Sequence, residues 1–421
     1  MRKTYIISAI ILSTILIIFL GWYLLVRSPE IPLGETVKNN LPFGSGDNTN
    51  RPLPSNNNGL GGDTANNDGQ SFDEFGSSAT NLFRISNTPI AGAVIFKRGI
   101  DTITRYVDRA TGHIYDANLA TLAKTKVTNQ TLPKVYEAYF KSDGDTVLIR
   151  SLKEDSDVVE NLVLSLAPPK STSTPSTSSG QADPLYSISS TPLRGNITAI
   201  AVGSGNTLFY SLQDTSSIMS STFTGTGAKI LLNSPFTNWR LAAAGNSLVV
   251  YTKASINASG FAYTLNTSNG AFVKILGPLN GLIAVPNTVG NQVLYSYVEN
   301  DKTRLFAKNL TNNTLTEILP TTFAEKCVWS TKQAGILFCG APIDELGTEE
   351  PDSWYRGATH FSDRIWLFDT NNDTAQALME PKIKLGVDID LIEPKLSPDE
   401  DYLVFINKID LSLWALRLES F

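Results

Sequence analysis

The sequence predicts an all-β fold, a seven-bladed β-propeller preceded by one N-terminal transmembrane helix and a flexible linker. Three observations predict it. Past residue 81, short apolar runs recur between Gly, Asn and Asp turns, with no long stretch of 3.6-residue period. Seven of those runs align with one another at a nearly constant interval. Ahead of them stand one long uncharged apolar segment and a polar tract poor in large apolar residues. The implied organisation is residues 1–27 as anchor, 28–81 as linker and 82–421 as propeller, with insertions near 168–190 and 341–361.

Residues 5–26, YIISAIILSTILIIFLGWYLLV, carry no charge and are long enough as a helix to span a hydrocarbon core of roughly 30 Å. Arg2 and Lys3 precede the segment, while Arg27 is soon followed by Glu30. The positive-inside bias therefore keeps the N-terminus cytoplasmic and places the remainder outside, as a single-pass protein of the cell membrane. A cleaved signal peptide is the rival reading, but its apolar region is usually shorter and ends in a small-residue site, which does not follow Val26. Trp22 and Tyr23 near the outer end suit a retained anchor.

Residues 28–80 are rich in Asn, Gly, Ser, Pro and Asp. Such a composition buries too little apolar surface to offset its chain entropy, so it reads as a tether. Residues 168–180, PPKSTSTPSTSSG, read as a surface loop inside the repeat region.

The aligned runs are Asp101-Thr-Ile-Thr-Arg-Tyr, Asp145-Thr-Val-Leu-Ile-Arg, Asn206-Thr-Leu-Phe-Tyr-Ser, Asn246-Ser-Leu-Val-Val-Tyr, Asn291-Gln-Val-Leu-Tyr-Ser, Ala334-Gly-Ile-Leu-Phe-Cys and Asp401-Tyr-Leu-Val-Phe-Ile. Anchored on the third residue of each, the spacings are 44, 61, 40, 45, 43 and 67. The two long ones contain the insertions, so the period is about 40–45 residues, the size of a four-stranded blade. Gly144-Asp145, Gly205-Asn206, Gly245-Asn246 and Gly290-Asn291 mark the turn between first and second strands. The last unit is one strand short, and residues 82–89 (LFRISNTP) resemble the final strand assigned to the first unit, residues 124–133. Leu82–Ser86 is therefore expected to complete the seventh blade, which leaves fewer open edges. An eight-bladed ring or a split pair of β-domains fits the spacing as well.

Ser142-Asp-Gly-Asp-Thr-Val-Leu and Ser397-Pro-Asp-Glu-Asp-Tyr-Leu-Val-Phe resemble the S-P-D-G turn-and-strand of TolB-like and WD-repeat-like bacterial envelope propellers, over roughly residues 82–421. The resemblance implies fold rather than activity, because such propellers serve as scaffolds, binding platforms and enzyme accessory domains. The G-H and W-D signatures of WD repeats are missing.

Composition narrows the chemistry. With 34 Lys+Arg against 40 Asp+Glu, the net charge of −6 argues against nucleic acid as a partner. Two histidines and two cysteines leave little for metal centres or Cys/His dyads, and no cofactor is indicated. Cys327 and Cys339 flank a turn centred near position 333, so they would face each other across a hairpin at disulfide distance; two reduced, buried cysteines are the alternative. In the 341–361 insertion, Trp354, Tyr355 and Arg356 follow several acids and form the ligand-binding candidate, since long loops on rigid scaffolds concentrate binding residues. Folding of Trp354 and Tyr355 back over a blade edge is the competing expectation, and nearby His360 has no evident partner. Asp369, Asn371 and Asp373 superficially match the start of a calcium loop but lack its Gly and terminal Glu, so a hairpin turn accounts for them. There is no G-x-S-x-G elbow or P-loop, and carboxylates such as Asp388, Asp390 and Glu393 cannot be paired in space from sequence.

The reading is a membrane-anchored extracytoplasmic binding or scaffold module of the cell envelope, without enzymatic activity, whose ligand is an envelope protein, a peptide or a glycan. The alternatives are a carbohydrate-active envelope enzyme using carboxylates at the propeller's central opening, and a structural spacer.

Overall fold

The computed structural model describes residues 81–153, 156, 158–169 and 185–418. The expected anchor, the linker up to residue 80 and residues 170–184 of the Ser/Thr/Pro tract lie outside the described residues. Among the described residues, no helix is long and apolar enough to cross a membrane.

Among the described residues, antiparallel strands form six sheets. The first holds Ile90–Arg98, Asp101–Asp108, Ile114–Asn118 and Lys124–Lys126; the second Val135–Phe140, Thr146–Leu152, Val159–Ala167 and Ser187–Leu193; the third Ile197–Val202, Thr207–Leu212, Ser217–Thr222 and Lys229–Asn233. The fourth has seven strands in chain order, Trp239–Ala244, Ser247–Thr252, Ser259–Asn266, Phe272–Pro286, Gln292–Glu299, Lys302–Asn309 and Leu315–Glu317. The fifth holds Cys327–Trp329, Ile336–Pro342, Asp363–Asp369 and Thr374–Met379. The sixth joins Leu391–Leu396, Tyr402–Asn407 and Leu413–Arg417 to Leu82–Ser86, which pairs antiparallel with Leu413–Arg417.

The seven-stranded sheet turns on its long strand. The first part of Phe272–Pro286 pairs with Ser259–Asn266, and its last part pairs with Gln292–Glu299. The register breaks between Asn280 and Ile283, beside Gly281 at φ +65°. One strand thus ends a four-strand unit and begins the next.

Each aligned run from the sequence falls on a second strand. Such a strand has hydrogen-bonded neighbours on both edges and packed sheets on both faces, which is why it reads as a continuous apolar run rather than an alternating one. Tyr402–Asn407 and Ile336–Pro342 are buried along their whole length. The turn before the second strand demands glycine where space is short: at Gly144, φ +75°, a Cβ would lie 2.6 Å from the Phe96 ring.

Apolar clusters join consecutive sheets. Ile114 and Val107 of the first sheet meet Ile149 and Leu164 of the second, Leu148 meets Leu208 of the third, and Phe209 meets Leu248 of the fourth. Leu282 and Ile283 pack with Trp329 of the fifth, Phe338 with Phe405 of the sixth, and Val404 with Ile95 and Tyr106 of the first. The sequence of contacts returns to its start.

Two details differ from the sequence reading. The last strand of the first sheet is only Lys124–Lys126, because after it Val127 turns inward as core. The insertion starts later than expected, since Ala341 and Pro342 still pair with Arg364 and Asp363.

Candidate functional site

The insertion between Ile336–Pro342 and Asp363–Asp369 carries one short helix, α1, Asp352–Tyr355. Its position is set by a charge cluster with no counterpart in the sequence pattern. Lys326, in a 3₁₀ turn at Ala324–Lys326, is 0% exposed. Its Nζ lies 2.7 Å from Asp363 Oδ2 and 2.7 Å from Asp390 Oδ1. Asp363 Oδ2 also accepts the Leu391 N–H at 2.7 Å. Asp390 Oδ2 accepts the Trp354 indole N–H at 2.8 Å and the Phe361 N–H at 3.2 Å.

Trp354 is the hub of the insertion. It is 3% exposed, and its ring lies 5.0 Å from Lys408 Nζ and 5.6 Å from Lys326 Nζ, within range of cation–π attraction. Lys408 also donates to the Trp354 carbonyl at 2.8 Å. Buried Glu350 accepts the Trp354 N–H at 2.9 Å and the Thr359 hydroxyl at 2.6 Å. Asp352 accepts the Ile256 N–H at 2.7 Å, which ties α1 to the loop after the second strand of the fourth sheet.

The expected ligand-binding trio is therefore divided. Trp354 is corrected to an interior anchor, because its indole N–H is committed to a buried carboxylate and its ring to the core. Tyr355 is 39% exposed, and its phenol donates to Glu325. Arg356 is exposed, bonding Ser353 Oγ at 3.1 Å and standing 3.8 Å from Glu349. Nearby stand Arg240 and Tyr251, cross-strand partners on the fourth sheet; the Arg240 charge opposes the raised proton affinity of both Glu325 and Tyr355.

Burial governs proton affinity here. It raises the Asp363 carboxyl to about 6, with Asp390 pushing the same way and Lys326 opposing. It also raises Glu325, against Tyr355, Arg240, Lys326 and Lys408. The Tyr355 phenol is raised well above its usual range by burial and then by Glu325. Burial lowers Lys408. Asp363 and Asp390 are fully enclosed and share one cation, so they hold structure and meet no ligand. Tyr355 is partly exposed, and half-buried Glu325 lies against its phenol.

Cys327 and Cys339 are bonded, S–S 2.14 Å and Cα–Cα 4.1 Å, as directly opposed residues of neighbouring strands. Asp369 accepts the N–H groups of Asn371 and Asn372 at 2.9 and 3.3 Å, which makes that segment a hydrogen-bonded turn. His360 Nδ1 lies 3.8 Å from Asp390 Oδ2. Asp388 is at the surface with Lys382, and Glu393 stands 3.8 Å from Lys395. Among the described residues, no group of three or more His, Cys, Asp or Glu side chains is set to hold a metal ion.

No protein-family model matches the chain, and no curated protein matches it in sequence. Solved structures do match in backbone. An oligogalacturonate lyase in complex with manganese aligns at TM-score 0.51 and 11% identity, over 80% of this chain and 93% of that one. An oligogalacturonate lyase from Vibrio parahaemolyticus aligns at 0.51 and 8%, over 80% and 94%. TolB from Acinetobacter baumannii aligns at 0.40 and 10%, over 63% of this chain, which spans only 59% of that structure's length. The all-β sheets, the closed succession of apolar clusters and the likeness to the two oligogalacturonate lyase structures together identify the chain as a β-propeller.

Proposed function

We propose that the chain is a seven-bladed propeller, held at the outer face of the cell membrane by residues 5–26, that acts as a binding or scaffold platform without chemistry of its own. Counting the long strand Phe272–Pro286 in both of its units turns the six sheets into seven four-stranded blades. The Cys327–Cys339 bond suits an oxidising compartment.

One observation carries the binding reading: the insertion is fastened from beneath and left open above. Trp354, Glu350 and Asp352 are spent on internal bonds, while Tyr355 and Arg356 remain at the surface beside Glu325 and Arg240. Such pre-organisation reduces the entropy lost on association. The enzyme reading draws on Glu325, a carboxyl of raised proton affinity bonded to a phenol, as a general acid would be.

The test is crosslinking in intact cells followed by mass spectrometry, comparing the native chain with Tyr355→Phe and Arg356→Ala. A specific envelope protein recovered with the native chain and lost with Arg356→Ala is the expected result. Recovery that ignores both substitutions would move the platform elsewhere, and glycan cleavage abolished by Glu325→Gln would replace binding with catalysis. Deleting the whole insertion is a poorer test, since it strips Trp354 from the core.

A further inference from the structure

Residues 215–298 contain no Asp or Glu, yet include Lys229, Arg240, Lys253 and Lys274. A stretch of +4 sits inside a chain of −6. Charge segregated in this way creates a local field that attracts anionic partners.

The fold brings part of this stretch to the outer rim, where the third and fourth sheets lie side by side. Lys229–Asn233 is the outermost strand of the third sheet and starts with exposed Lys229 and Ile230. Beside it, Phe272, Val273 and Lys274 open the long strand of the fourth, and Lys229 Nζ reaches the Thr267 carbonyl across the gap at 3.3 Å. Ile230, Phe236, Phe272 and Val273 are between 36% and 57% exposed. Their aromatic members are fixed: Phe272 stacks on Tyr263 at 4.4 Å, and Phe236 meets Trp239 edge-on at 5.4 Å. A recess of about 280 Å³ continues from Lys274 to Lys308, lined by Ile275, Leu276, Pro278 and Leu279.

Exposed aromatics on a rigid base, flanked by lysines and free of acids over this stretch, match neither a purely electrostatic site nor a purely apolar one. We infer that this rim docks an acidic protein segment that carries apolar side chains. Its carboxylates meet Lys229 and Lys274, and its apolar side chains cover Phe236 and Phe272. The free edge of Lys229–Asn233 offers backbone groups to an extended segment. The residues substituted here are not those of the α1 platform, so the two readings are tested by different variants.

The test uses the full-length chain and a fluorescent synthetic peptide alternating Glu with Phe and Leu, read by anisotropy. Lys229→Glu with Lys274→Glu weakens binding at least about tenfold, and Phe236→Ser with Phe272→Ser does the same. Lys384→Glu, exposed in the fifth-to-sixth sheet connection, leaves binding unchanged. Unchanged melting temperatures exclude unfolding as the cause. Equal loss with Lys384→Glu, or equal binding of poly-glutamate, would reduce the effect to net charge and overturn the inference. Stronger, Phe236-dependent binding to phosphatidylglycerol vesicles than to the peptide would overturn it in favour of a lipid surface.

Discussion

Two buried cations hold this molecule together in different ways. Arg105, at the junction of the first and second sheets, meets one carboxylate: its Nε and Nη2 bond Asp116 at 2.6 and 2.9 Å, and its Nη1 bonds the Gly144 carbonyl of the next sheet at 2.8 Å. Lys326, near the junction of the fifth and sixth, meets two. A planar guanidinium matches a single carboxylate with parallel bonds, and its remaining donor reaches across the junction. An ammonium has no such fork, so it gathers carboxylates around a point. The first arrangement balances its charge, whereas the second buries one negative charge in excess and leaves Asp363 with a raised proton affinity. At Arg105, burial opposes the charge, but the hydrogen bond and charge of Asp116, joined by Tyr186, together outweigh it, so the guanidinium is held more firmly protonated than usual.

Breaking the two sites separates them by size. Lys326→Met strands two enclosed carboxylates and costs about 3–5 kcal/mol, read as a lower urea midpoint. Proton linkage gives the next effect. Asp363 binds its proton up to about pH 6 in the native state but only to about 3.9 when unfolded. The native state therefore holds more protons between those values, and stability falls as the pH rises from about 4 to about 6, by up to about 3 kcal/mol, then levels. Asp363→Asn removes that slope in urea titrations at several pH values, while an Arg105 variant retains it. Arg105→Met costs less than Lys326→Met, about 2 kcal/mol, because Arg98 still reaches Asp116 at 2.8 Å. Arg356→Ala changes stability by under about 0.5 kcal/mol, since its side chain and its ion-pair partner Glu349 are exposed; a larger loss would mean that the insertion is held from its surface as well.

The Arg105 site has a trace in the sequence and the Lys326 site has none. Arg105 and Arg150 stand near the end of the aligned runs, each opposite a polar residue on the third strand, Asp116 or Asn161, so the repeat carries them. Lys326, Asp363 and Asp390 occur once each, 37 and 64 residues apart, and nothing periodic marks them. The fold was legible for the same reason: a second strand packed on both faces must be apolar throughout, and its recurrence reveals the units. Outer strands left no comparable signal, because they are solvated and short, as Lys124–Lys126 and Leu315–Glu317 show. Trp354 shows the limit for the site. A tryptophan among acids reads as a ligand contact, yet one of the acids that captures it, Asp390, arrives from another sheet.

The pairing of Leu82–Ser86 with Leu413–Arg417 also sets a clock. Arg84 reaches Asp410, 326 residues further along the chain. At about 5–20 residues per second, the ribosome needs roughly 15–65 s after making the first strand to deliver its partner. Throughout that interval Leu82–Ser86 presents unpaired backbone to whatever is nearby, a hazard for any open sheet edge. The ring therefore completes only after synthesis has passed Leu413, and a chain stalled before that point keeps the Leu82–Ser86 edge exposed to other nascent chains.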